Sequence, residues 1–180
     1  KLFGVGAGPG APDLLTLRAK RVLERAPVLA LPRSNDYGRS MAWRIVEPAI
    51  SAPAEQKRLF LTFPMSKDPA RVKPAVERAC DAMQAELERG LDVAFVSEGD
   101  PSTFSTFIYV RQTLLQRLPG LQVEVVPGVS SIMAVPAVAG LALADGHERI
   151  AILPGTGGLD DLERTLQNFD TVVLMKVGPE

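Results

Sequence analysis

Val96-Ser97-Glu98-Gly99-Asp100-Pro101-Ser102-Thr103-Phe104-Ser105-Thr106 follows an apolar run over residues 91–96 and precedes a helical pattern over 106–118. A short apolar run closed by a turn and followed by a helix reads as a buried strand, a loop at its carboxyl end and a returning helix. Ligands in open α/β sheets gather at that edge. Two acids, a glycine, a proline and several hydroxyl residues share the loop, giving hydrogen-bonding groups on a backbone that comes close to a ligand at glycine. The same residues also suit a hydrated turn in which Ser105 or Thr106 caps the helix.

The alternation continues on both sides. Upstream, Leu2-Phe3-Gly4-Val5-Gly6 is an apolar strand running into the turn Ala7-Gly8-Pro9-Gly10-Ala11-Pro12. A helix is expected over 16–25 with Thr16 as N-cap, a second strand over 28–31 closed by Pro32, a short helix over 39–50 and a third strand over 57–63. A polar turn over 64–69 leads to a helix over 72–89 that Gly90 ends. Downstream, Pro119-Gly120 breaks the helix, and a fifth strand over 121–126 ends in Pro127-Gly128. This repeat of strand and helix predicts an α/β fold with a largely parallel sheet covered on both faces. Residues 129–141 form a small-residue helix interrupted by Pro136, suited to close packing. A polar linker over 144–148 then separates an N-terminal domain, 1–143, from the start of a second α/β domain, 144–180. Its two strands and one helix are too few for an independent sheet, so this domain is expected to be incomplete or completed by a partner.

Composition narrows the function. Hydrophobic residues make up 46% and charged residues 23% of 180 residues, as in ordinary globular proteins. A net charge of −1, with basic residues scattered along the chain, argues against a nucleic-acid partner. No apolar run approaches the ~18 residues of a spanning helix, and Lys1-Leu2-Phe3 enters a strand rather than a signal peptide. The expectation is therefore a cytoplasmic protein away from membranes. One cysteine, Cys80, and one histidine, His147, leave no material for a disulfide, a thiolate zinc cluster or a multi-histidine metal site. Cys80 lies in a helical pattern and reads as a core filler, and His147 as a turn residue. Asp160-Asp161 complements a helix N-terminus.

Gly6-Ala7-Gly8-Pro9-Gly10-Ala11 satisfies the dinucleotide pattern G-x-G-x-x-A. Pro12 and Asp13 delay the helix, however, and the second strand ends in Leu31-Pro32-Arg33 with no acid for a ribose. Arg33 facing a 2′-phosphate keeps an NADP-binding oxidoreductase as an alternative. Ser130-Ser131 either caps a helix or aims N–H groups and hydroxyls at a ligand.

Three glycine-bearing loops thus follow three strands: Gly8-Pro9-Gly10, Glu98-Gly99-Asp100-Pro101 and Pro127-Gly128-Val129-Ser130-Ser131. With Gly4-Val5-Gly6-Ala7 and Leu14-Leu15-Thr16-Leu17-Arg18-Ala19, their order and spacing resemble the tetrapyrrole methylases over essentially the whole chain. The wording Ser102-Thr103-Phe104-Ser105-Thr106-Phe107 after Gly-Asp-Pro, and Leu61-Thr62-Phe63-Pro64-Met65-Ser66-Lys67-Asp68, look like the branch that methylates C-20 of precorrin-2. The Phe-x-Phe-Gly-Arg typical of uroporphyrinogen methylases is absent.

The resemblance implies a homodimer with two α/β domains and S-adenosyl-L-methionine in the cleft between them. It implies methylation of precorrin-2 at C-20 to give precorrin-3A in cobalamin biosynthesis. Alternatives are a methylase for another corrin carbon or for cobalt-precorrin-2, and a tetrapyrrole carrier without activity. By family position, Pro9, Glu98, Gly99, Asp100, Ser130, Ser131 and Met175 would line the cofactor site. No general base is assigned. Precorrin-2 is rich in carboxylates, so Arg33, Arg39, Arg44 and Lys67 are candidate substrate contacts. The chain is shorter than the family's usual length, and part of the second domain is expected to be missing.

Overall fold

The computed structural model describes residues 1–51, 53–66 and 68–177. It divides into two compact units, Lys1–Ser130 and Ser131–Glu180. The sequence reading sets the boundary after 143 instead; the difference is the small-residue helix, which groups with the second unit.

The first unit runs β1 (Leu2–Gly6), α1 (Leu17–Arg25), β2 (Val28–Arg33), α2 (Met41–Val46), β3 (Lys57–Thr62), α3 (Pro69–Glu88), β4 (Val93–Ser97), α4 (Phe107–Arg117) and β5 (Val123–Val126). The strands form one sheet in the order β3-β2-β4-β1-β5, with every pairing parallel. Alternate residues of each strand enter different cores, as a two-residue period requires. Val28, Ala30, Val93 and Phe95 join Ala79, Cys80, Met83 of α3 and Phe107, Val110, Leu114 of α4. Leu29, Leu31, Ala94 and Val96 join Ala19 and Leu23 of α1 with Ala42, Ile45 and Val46 of α2. Helices therefore cover both faces, which is why β4 is buried at every position.

Gly4 lies where α4 meets the sheet. A Cβ there would overlap the ring of Phe107, so the glycine leaves the seat that this fully buried ring fills. Phe107 packs against Phe95 with centroids 5.7 Å apart, and Phe95 meets Phe63 edge-on at 6.2 Å. Rings in these arrangements add roughly 0.5–1.5 kcal/mol per pair beyond their burial.

The element ends follow local chemistry. Thr16 caps α1, its hydroxyl accepting from the Ala19 N–H at 3.1 Å. Gln56, buried, donates to the carbonyls of Leu23 and Ala26 at 2.7 Å each, which satisfies the far end of the same helix. Asp68 caps α3 through the Ala70 N–H, so the helix starts at Pro69, earlier than its apolar period suggests; proline suits the first helical turn. The helix expected over 39–50 is shorter, Met41–Val46, because Pro48 turns the chain into a single 3-10 turn, Glu47–Ala49. Pro32 does not close β2 but sits inside it, paired with Leu61. β4 accompanies β2 only through Ala30, so a missing N–H is tolerated beyond that point.

One ion-pair cluster ties α3 to β3. Glu86 accepts from Lys57 at 2.5 Å and from Arg89 at 3.1 Å. The Lys57 hydrogen bond, against the opposing effect of burial, holds its carboxyl below the ordinary glutamate range.

The second unit contains α5 (Ser131–Ala139), β6 (Ile150–Pro154), α6 (Leu159–Asn168) and β7 (Thr171–Met175). β6 and β7 pair in parallel from Ile150↔Thr171 to Pro154↔Met175, with α6 as the crossover. Among the described residues no helix is long and apolar enough to cross a membrane.

Candidate functional site

β1 and β4 are neighbours, yet the chain leaves them in opposite directions. From β1 it crosses to β2, and from β4 to β5 on the far side of β1. Such a reversal opens a crevice at the carboxyl ends of the two strands. The loops that leave them are joined there. The Gly8 N–H donates to the Gly99 carbonyl at 3.3 Å, the Gly99 N–H to the Gly8 carbonyl at 2.8 Å, and the Ala7 N–H to the Ser97 carbonyl at 2.8 Å. The loop after β5 enters the same place. A Cβ on Gly6 would lie 2.5 Å from Gly128 Cα and 2.6 Å from the Gly99 oxygen, and a Cβ on Gly128 would overlap that oxygen outright. Three backbones meet here at distances that side chains would forbid.

Asp100 fastens the arrangement. Its Oδ1 accepts from the Ser102 N–H at 2.8 Å and its Oδ2 from the Gly128 N–H at 3.0 Å. Both oxygens are thus engaged within the protein, one turning its own loop and the other holding the loop after β5. The sequence reading assigns Asp100 to the cofactor; the geometry gives it a positioning duty, with the second lone pair of each oxygen still available.

Gly99 faces outward. Its φ of +64° belongs to the left-handed region, and a Cβ there would meet nothing within 4 Å. Gly10, at φ +144°, is equally open. Pro9 is half-buried between Gly8 and Gly10, and Glu98 is exposed. The crevice is therefore floored by glycine backbone, and its open side is clear of side chains at Gly10 and Gly99.

Sequence reasoning missed one pair in this loop. The hydroxyls of Ser97, which is buried, and Ser105 lie 2.9 Å apart. Ser105 Oγ also accepts from the Phe107 N–H at 3.2 Å, so Ser105 rather than Thr106 caps α4. The signal was present as two hydroxyl residues flanking the loop, but their pairing depends on how the loop closes.

The remaining candidates are distributed differently. Ser130 ends the first unit and is half-buried. Ser131 and Met175 belong to the second, where the Ser131 hydroxyl reaches Met175 Sδ at 3.9 Å. Arg33 is not free: its Nε donates to Thr62 Oγ1 at 3.0 Å and its guanidinium pairs with Asp36 at 3.3 Å. Arg39 and Arg44 are exposed, and neither has an ion pair among the described residues. Lys67 lies outside the described residues. His147 is exposed. Cys80 is fully buried, and burial pushes its thiol up to about 11, so it is no nucleophile in the folded protein.

The dinucleotide alternative loses its geometry. A phosphate site needs an α-helix opening at the third small residue, whereas Pro12–Leu14 form a 3-10 turn and α1 begins at Leu17. The arginine proposed for a 2′-phosphate is the one already held by Asp36 and Thr62.

The model of the tetrapyrrole (corrin/porphyrin) methylases matches residues 1–180. The chain belongs to the tetrapyrrole methylases. It is 37% identical over 176 residues to the probable cobalt-precorrin-2 C(20)-methyltransferase of Methanocaldococcus jannaschii, covering 98% of this chain and 72% of that protein. It is 34% identical over 185 residues to the precorrin-2 C(20)-methyltransferase of a Sinorhizobium species, covering 99% and 74%. The solved uroporphyrin-III C-methyl transferase from Thermus thermophilus, complexed with S-adenyl homocysteine, superposes with a TM-score of 0.66 at 27% identity. That match covers 98% of this chain and 65% of the other. This tetrapyrrole methylase thus shares the α/β fold of the family, and its motif loops are the ones that meet at the switch point.

Proposed function

We propose that this protein is a methyltransferase that uses S-adenosyl-L-methionine to methylate C-20 of precorrin-2, giving precorrin-3A in cobalamin biosynthesis. The observation that carries this reading is identity of 37% and 34%, over 98% and 99% of the chain, to proteins named for C-20 methylation. The glycine-floored crevice supports it. An extended cofactor with a sulfonium centre can lie against backbone at Gly10 and Gly99, where open space meets both Cα atoms. The residues fit the group for that reason. When bound, S-adenosyl-L-methionine supplies an electrophilic methyl to an electron-rich carbon of the tetrapyrrole.

The protein's share of the work is placement. By family position, Pro9, Glu98, Gly99, Ser130, Ser131 and Met175 would border the cofactor. Asp100 keeps the loops after β4 and β5 in register through its two accepted N–H bonds. Holding two reactants in line is worth several kcal/mol of a barrier, and a crevice floored by fixed backbone suits that task. Arg39 and Arg44, exposed and without ion pairs among the described residues, are free to meet substrate carboxylates; Arg33 would do so from a position already set by Thr62 and Asp36. Exposed apolar side chains on α4 and the edge strand β5, including Ile108, Tyr109, Leu115 and Val125, are compatible with the homodimer that the family resemblance implies. The cytoplasm is the proposed compartment.

The test is direct. The protein is mixed with precorrin-2 and S-adenosyl-L-methionine carrying a labelled methyl, and the product is mapped by NMR. Label at C-20 is expected. Label on another carbon would replace this reading with another tetrapyrrole methylation, and cofactor binding without transfer would favour a carrier. Running metal-free and cobalt-charged substrate side by side decides which form is used.

A further inference from the structure

Phe104 departs from its surroundings in two ways. It holds φ +48°, a left-handed conformation that crowds any residue with a Cβ, and it is 40% exposed. Among the described residues its ring meets no other aromatic ring and no cation. Asparagine or glycine would take this conformation at less cost, so the chain keeps a bulky apolar ring in the least favourable place for one.

The loop explains how the conformation is enforced. Asp100 accepts from the Ser102 N–H at 2.8 Å through its side chain, and its carbonyl accepts from the Thr103 N–H at 3.4 Å. The loop's ends are pinned where the Ser97 and Ser105 hydroxyls meet at 2.9 Å, and Ser105 is fixed in turn by the Phe107 N–H. Phe104 is thus bracketed by bonded residues on both sides. Strained residues persist where neighbours over-determine them, and they concentrate at ligand contacts. The loop is the one that carries Gly99, open to the crevice, and Asp100, tied to Gly128.

We propose that Phe104 is a specificity-determining residue whose ring stacks on a conjugated pyrrole face of the substrate. The inference rests on the tetrapyrrole methylation proposed above and deepens it. Offset stacking requires a flat π-face presented at a fixed angle, and a pinned backbone presents one without the entropy loss of ordering a mobile loop.

Phe104→Gly removes the ring and relieves the backbone, so recognition is expected to fall while stability changes little. In the full chain, KM for the tetrapyrrole rises about tenfold, while S-adenosylhomocysteine affinity stays within about twofold. Thermal midpoint shifts by only about 2–4 °C, because the strain relieved and the ring burial lost largely offset each other. Phe104→Trp keeps KM near wild type, because a flat ring is retained. An unchanged KM in Phe104→Gly would overturn the inference, as would parallel losses of thermal midpoint and cofactor affinity, which mark a structural role. Wild-type protein that transfers no methyl to the tetrapyrrole would instead sink the reading on which the inference rests, and the inference with it.

Discussion

Gly99 and Gly90 stand at opposite ends of β4 and together separate backbone strain from loss of a binding surface. Both have left-handed φ, +64° and +80°, and at both a Cβ would meet nothing within 4 Å. Between them lie the five residues of β4, about 16 Å of extended chain. Alanine at either position carries a left-handed penalty of roughly 1–2 kcal/mol, offset by roughly 0.4–1 kcal/mol because alanine loses less freedom on folding than glycine. The net cost is about 1 kcal/mol at each, or roughly 2–4 °C in thermal midpoint for a chain of this size. Only at Gly99 does the new methyl project into the crevice at the carboxyl edge. Gly99→Ala is therefore expected to weaken S-adenosylhomocysteine binding at least tenfold, about 1.4 kcal/mol, and Gly90→Ala to leave it unchanged. Scanning calorimetry reads the first quantity and titration calorimetry the second. Affinities within twofold of each other in the two variants would refute the placement of the cofactor over Gly99, whatever their stabilities.

Other perturbations probe the supports. Asp100→Ala deletes two accepted N–H bonds and should cost about 2–3 kcal/mol, since bonds to charged groups contribute roughly 1.5–3 kcal/mol each and these are half-exposed; a thermal midpoint about 4–12 °C lower, together with weaker S-adenosylhomocysteine binding, is expected, and a stability loss with full affinity would leave Asp100 a turn residue alone. Arg39→Ala should raise KM for the tetrapyrrole severalfold while leaving S-adenosylhomocysteine affinity intact, and equal losses of both in calorimetry would remove it from the substrate site. Cys80 ionises near 11 in the folded protein against about 8.5 unfolded. Its contribution is thus constant below pH ~8.5 and turns against the folded state as pH rises from there toward about 11. A Cys80→Ala variant should therefore show less loss of thermal midpoint between pH 8 and 10 than the wild type, even though its cavity lowers the midpoint at every pH.

The parts of this design that are local in sequence were legible, and those that depend on closure were not. Strand, loop and helix alternated clearly enough to place Gly8-Pro9-Gly10, the Glu98 loop and the Pro127 loop at strand ends, and Thr16 was identifiable as a cap from its position alone. Strand order was not. A two-residue period tells which side chains share a face, but nothing in it says that β4 lies between β2 and β1, and the switch point depends on that order. Nor does composition reveal that the Asp100 carboxylate is taken up by Gly128, 28 residues away, or that Arg33 is held by Thr62 across the β2–β3 pair. An acid or a guanidinium in a loop looks the same in sequence whether it faces a ligand or a backbone amide.

That ambiguity has a consequence for how the site is built. Two side chains that chemistry would first nominate as ligands, Asp100 and Arg33, have partners within the protein, whereas the crevice floor stays open at two glycines, Gly10 and Gly99. A crevice floored by backbone cannot be weakened at its floor by trimming side chains, because none is there to trim. Substitution acts on it either by adding atoms, as at Gly99, or by releasing a tie, as at Asp100, and the two routes leave different signatures. An added methyl removes affinity at the modest cost of strain. A released tie lowers stability and affinity together, because the Asp100 carboxylate both turns its own loop and holds the loop after β5 through the Gly128 N–H.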